Sequence, residues 1–163
     1  MKELKIFSLL VKSNIGIFVG IFFMMDILSN LLFWRIPKIN FQNENIEFIQ
    51  ESGGKAAVFF TAVFFVPVFE TLIYQFSIIK IIRCLIKKSL WVFFIAVPIS
   101  AICFALDHHY SIYYQINAFL GGLIYAVAFF IGEYRRDLPA FIIVVIIHSL
   151  WNLFAFIMNE IGY

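Results

Sequence analysis

A chain of 163 residues with 63% hydrophobic side chains, 22 phenylalanines and only 13% charged residues lies far outside the composition of a soluble domain of this size. Its net charge of +2 comes from small basic groups set between apolar runs, which excludes nucleic acid as the expected partner and leaves the lipid bilayer. Cys84 and Cys103 share no metal or redox spacing, so no disulfide framework is expected.

In chain order, MKELKIFSLLVKS spaces its apolar residues helically between Lys2, Lys5 and Lys12, the pattern of an interfacial helix. A first span follows at roughly 14–34; it is too long for a cleaved signal peptide and no small-residue cleavage site follows it. The polar connection IPKINFQNENIEFIQESGG comes next, read as a surface-lying amphipathic segment with Trp34 as its interface anchor. Four further apolar runs, roughly 55–79, 89–107, 116–132 and 138–158, complete five candidate spans. The expected fold is all-α: a polytopic transmembrane helix bundle of about five spans with an N-terminal interfacial helix, one membrane domain over 1–163, antiparallel because its connections are short.

On alternating sides of such a bundle, Lys2, Lys5, Lys12, Lys80, Arg83, Lys87, Lys88, Arg135 and Arg136 fall together. The other side holds Arg35, Lys38 and Lys55 beside Glu44, Glu47 and Glu51. The positive-inside rule therefore predicts a multi-pass protein of the cell membrane with a cytoplasmic N-terminus and the C-terminus outside.

Polar side chains within these spans are few, and each costs at least a few kcal/mol in hydrocarbon, so they are expected to face the bundle interior. They are Asp26; Glu70, Thr71 and Gln75; Asp107, His108 and His109; and His148 with Asn152. His148 and Asn152 lie four apart on one helix face, as do Glu70 and Tyr74, and Phe104 and His108. If these helices converge on one wet pocket, they supply a base, an imidazole to share its water, and two donors for a developing negative charge, which is equipment for hydrolysing an amide. Asp26 reads as structural, bonded to the backbone or to Ser29 or Asn30, and His109 and Asp107 as solvated loop residues. Pro67 is expected to kink its span and free a carbonyl beside the pocket, with Pro98 placed to do the same in the third span. Gly121 and Gly122 read as close helix packing.

In order, PVFETLIYQ (Pro67 to Gln75), FALDH (Phe104 to His108) and HSLWN (His148 to Asn152) resemble the CPBP family of intramembrane proteases, which includes the CAAX prenyl endopeptidases and the bacteriocin-processing or immunity proteins also called Abi proteins. The family pattern is Pro-x-x-Glu-Glu-x-x-x-Arg, then Phe-x-x-x-His, then His-x-x-x-Asn or His-x-x-x-Asp, each on its own helix. The resemblance covers a core of about 55–158. It implies an endopeptidase acting near a membrane-associated or lipid-modified segment of a peptide or protein substrate. Glu70 and His108 would activate water, His148 and Asn152 would form the oxyanion hole, and no metal or other cofactor is required. Thr71 and Gln75 stand where the pattern has Glu and Arg, and are expected to replace a buried ion pair by a hydrogen-bonding pair.

Two other readings stay open. Glu70, His108 and His148 are acceptable zinc ligands, although no His-Glu-x-x-His motif joins them. The same polar residues could also only cross-link helices in a bacteriocin immunity or partner-binding protein. One feature resists a simple bundle: His108 falls near the outer end of its span, whereas Glu70 and His148 fall nearer mid-membrane. A span starting late, near Trp91, a cavity tilted outward, or a re-entrant turn through DHHYSIYYQ would reconcile them.

Overall fold

The computed structural model describes residues 3–34 and 44–160, with side chains over 5–31 and 49–160. Among the described residues six helices form an all-α bundle. They are α1 (Glu3–Lys12), α2 (Ile15–Trp34), the long run α3 (Glu44–Phe60 continued through Thr61–Phe65, Val66–Glu70 and Thr71–Ser77 to Ile78–Leu85), α4 (Ser89–Asp107), α5 (Ile112–Gly132) and α6 (Ala140–Glu160). Four of them are long and apolar enough to cross a membrane by themselves, and the bent pair α1 and α2 brings the number to five. The chain is thus a multi-pass membrane protein: the last four spans read from hydropathy are present as helices of spanning length, while the first, at roughly 14–34, corresponds to α2, which among the described residues counts as a span only together with α1. Arg35, Lys38 and the side chain of Trp34 lie outside the described residues.

At α1 the chain turns through 119° into α2. Asn14 Oδ1 accepts the Gly16 N–H at 2.8 Å and caps the new helix. Arg135 holds the corner from the other side of the bundle. It donates to the carbonyls of Leu10 at 2.5 Å and Ser13 at 2.7 Å, and its guanidinium lies over the Phe18 ring. Nearby, Glu133 pairs with Lys80 at 2.6 Å and with Arg83, and Ser89 bonds the Tyr134 hydroxyl. The α1–α2 corner, the α3–α4 turn and the α5–α6 connection therefore meet at one end of the bundle, the three basic groups that the charge pattern puts on one side.

The run α3 owes its shape to its winding. Two π-helical stretches, Thr61–Phe65 and Thr71–Ser77, flank Val66–Glu70. A π turn takes about 4.4 residues against 3.6 for an α turn, so the mixture averages about four. Every fourth residue then keeps to one face, and Val63, Pro67, Thr71, Gln75 and Ile79 are all buried. In an unbroken α-helix the same repeat would drift by about 40° at each step. Phe64, Phe65, Phe69 and Ile73 lie on the opposite, exposed side, which in a bilayer meets acyl chains.

The core sits around α5. Gly122 lets α4 approach so closely that a Cβ there would come within 3.1 Å of the Phe104 ring and 3.2 Å of Ala101 Cα, while at Gly121 the nearest atom would be 3.6 Å away. The packing role read for this pair thus rests on Gly122.

Candidate active site

The site is assembled by α3, α4 and α6, with α5 behind it. Glu70 comes from the junction of the α-helical step and the second π stretch of α3. Its Oε1 lies 3.7 Å from His108 Nε2 and its Oε2 3.5 Å from His148 Nε2. These separations are long for direct hydrogen bonds, and short enough for one water to touch the carboxylate and an imidazole together. Glu70 and His108 remain partly exposed, at 18% and 16%, whereas His148 is only 5% exposed, so the carboxylate bridges an open imidazole and an enclosed one.

His108 reaches this place by folding backwards. It ends α4 with non-helical backbone, φ −94° and ψ 54°, and its Nδ1 bonds the Phe104 carbonyl at 2.7 Å. A carbonyl only accepts, so Nδ1 carries the hydrogen and Nε2 of the neutral ring turns a lone pair toward Glu70. The ring also packs on Phe104, with centroids 4.4 Å apart. This fold-back brings the ring to Glu70 from the very end of its helix. The span starts at Ser89, not late, and α5 starts at Ile112 after a short turn, so no re-entrant segment is formed.

Phe104 is the hub of the site. Its ring meets Tyr74 of α3 edge-on at 5.5 Å, Tyr125 of α5 at 6.0 Å and His148 of α6 at 6.0 Å. Tyr114 stacks on the outer face of His108 with planes 14° apart. Asp107 and His109 are exposed, as solvated loop residues should be.

Asn152 is one turn beyond His148, and its Nδ2 donates to the Ala62 carbonyl at 2.7 Å. The local winding explains why that carbonyl is free. Its α-helical donor, the Val66 N–H, bonds Thr61 instead, and its π-helical donor would be Pro67, which has no N–H. The carbonyl expected to be freed by Pro67 is therefore found, and Asn152 occupies it. An amide nitrogen has two hydrogens, so Asn152 keeps a second donor. Asn152→Ala will destabilise the protein by about 1–3 kcal/mol through the orphaned carbonyl. The loss will shrink in a Pro67→Ala background, where a new N–H is at hand; equal losses in the two backgrounds, measured by thermal unfolding in detergent, would count against this account.

One expectation is corrected. Thr71 and Gln75 are fully buried but do not bond each other: Thr71 Oγ1 and both amide atoms of Gln75 have no hydrogen-bond partner among the described residues. They stand one turn apart on the buried stripe of α3 without a hydrogen bond between them. Among the described residues no group of three His, Cys, Asp or Glu side chains is disposed to hold a metal ion.

The Asp26 carboxyl is bonded locally to Asn30, whose Nδ2 donates to Oδ1 at 3.2 Å, while Ser29 and Asn30 also donate to its main-chain oxygen. The partner that sequence reading missed is Tyr125, whose hydroxyl donates to Asp26 Oδ2 at 2.5 Å. The only signal for it was the Gly121-Gly122 pair, which announces that α5 comes close to its neighbours at this level.

The profile of the family described as Type II CAAX prenyl endopeptidase Rce1-like matches residues 52–154, which contain Glu70, His108, His148 and Asn152. The chain belongs to this family. No curated protein and no solved structure matches it. The Rce1-like match begins beyond α1 and α2, so those two helices, Asp26 included, are outside what the family profile describes.

Proposed function

We propose that this Rce1-like protein is an intramembrane endopeptidase of the CAAX-protease type, using Glu70 and His108 to activate water without an obligatory metal. The observation that carries this is the position of one carboxylate between two imidazole Nε2 atoms, 3.7 and 3.5 Å away, inside a lipid-embedded bundle. Water held by Glu70 and His108 gives up a proton as its oxygen attacks the scissile carbonyl, and the same groups return that proton to the amine that leaves when the C–N bond breaks. His148, donating through Nε2, and the free hydrogen of Asn152 would stabilise the oxyanion. The substrate is a membrane-associated peptide or protein whose cleavage site lies near a hydrophobic or lipid-modified segment. The charge pattern further supports a cell-membrane location with the N-terminus cytoplasmic and the C-terminus outside.

The test is cleavage of hydrophobic and prenylated reporter peptides by the full chain in proteoliposomes, with products read by mass spectrometry. Cleavage that persists after chelation and is lost in His108→Phe is the expected result. Activity that disappears with chelator and returns with zinc would replace this scheme by a metal-assisted one.

A second reading, a non-catalytic bacteriocin immunity or partner-binding protein of the same fold, is favoured by one observation: Asn152 already holds the Ala62 carbonyl, as a helix cross-link would. Protection that survives both Glu70→Ala and His148→Ala would decide for it.

A further inference from the structure

Asp26 is a buried carboxyl, 1% exposed, that the reaction above leaves unused, and it lies on a helix outside the family match. Both of its oxygens accept hydrogen bonds, Oδ2 from the Tyr125 hydroxyl at 2.5 Å and Oδ1 from Asn30 Nδ2 at 3.2 Å. Asn30 is held in turn by Asn117 of α5, whose Nδ2 donates to its Oδ1 at 2.5 Å. Asp26 is therefore gripped from two helices, and it fixes the direction of one phenol.

That phenol is the wall behind His148. The two rings stack with centroids 4.6 Å apart and planes 25° from parallel, and both residues are buried. His148 needs such a wall. Its Nδ1 has no hydrogen-bond partner among the described residues, so no second-side bond of the kind His108 makes to Phe104 sets its ring. The last torsion of a histidine is broad and roughly two-fold, and a half-turn would swing Nε2 away from Glu70.

We propose that Asp26 and Tyr125 are positioning residues for His148: the carboxyl anchors the phenol, and the face of the phenol holds the imidazole with Nε2 toward Glu70. This rests on the endopeptidase reading for its effect on rate, but not for its effect on the ring. The competing view is that Asp26, Asn30, Asn117 and Tyr125 only clamp α2 to α5. A clamp would alter stability and leave the behaviour of the folded enzyme alone.

The experiment compares Tyr125→Phe, Asp26→Ala and the double variant, all full length and in proteoliposomes. Tyr125→Phe keeps the ring and its volume and removes only the anchor, so it carries the test if Asp26→Ala fails to fold. Each single variant will lower kcat about 10- to 100-fold with KM changed less than about twofold, because a small misplacement of a reacting group acts on the transition state. The double variant will be no worse than the more impaired single, since both interrupt one chain of contacts. Independently, histidine-labelled protein, with three His in the chain, will show His148 ring signals displaced by the stacked phenol and broadened in Tyr125→Phe. Unchanged kcat in Tyr125→Phe, or losses that multiply in the double variant, would overturn the proposal. If the unaltered protein cleaves nothing, the endopeptidase reading fails and the ring signals alone decide, with unmoved His148 resonances overturning the positioning role.

Discussion

Glu70→Gln will abolish cleavage, lowering kcat by about 10²–10⁴-fold, the usual worth of a positioned general base. The sign of the accompanying stability change is as informative as the loss of rate. Glu70 Oε2 has no hydrogen-bond partner among the described residues, so the carboxylate is held near two imidazoles without being bonded to either. An amide of the same shape removes an ionisable group from hydrocarbon, and the variant is expected to melt at the same temperature as the parent or higher. Were Glu70 a mere helix cross-link, the substitution would lower stability and spare turnover. Undiminished turnover in Glu70→Gln would remove the proposed base.

Gly122→Leu will have the largest effect of any substitution outside the polar residues. Even a single Cβ at this position meets Phe104 at 3.1 Å and Ala101 Cα at 3.2 Å, and three further carbons can be fitted only by parting α4 from α5. Overpacking of this kind costs about 1–3 kcal/mol or more. The site would suffer with it, because Phe104 supplies both the carbonyl that His108 bonds and the ring on which it rests. At least about tenfold loss of kcat is expected in whatever fraction remains folded. Gly121→Ala is the matched control: its Cβ would find nothing nearer than 3.6 Å, an ordinary contact. Stability and rate within experimental error for Gly122→Leu would contradict the packing described.

What could be read from sequence was what repeats at helical intervals. Glu70, His108, His148 and Asn152 stand out because each interrupts an apolar run and shares a face with a neighbour four residues away. The same logic misled at Thr71 and Gln75, where a shared face does not mean a shared bond: the two groups line one buried stripe and do not hydrogen-bond each other. The approach of His108 to Glu70 was illegible because it depends on a backward turn of one side chain onto Phe104, which no spacing encodes. Tyr125 was illegible for a different reason. Its hydroxyl answers a carboxyl 99 positions earlier, and one Tyr among seven in an apolar chain carries no mark of such a partner.

The every-fourth-residue stripe of α3 bears on how such a protein can change over time. Side chains along it can be exchanged for others of similar size, since the backbone winding alone keeps them in line. The number of residues cannot be altered so freely. Dropping one residue between Glu70 and Ile79 would rotate the two halves of the helix against each other by about a quarter turn, bringing Glu70 or the basic end of the helix round toward the acyl chains. Mean hydropathy would hardly register the event, so length variation among relatives of this chain should be confined to the connections between spans.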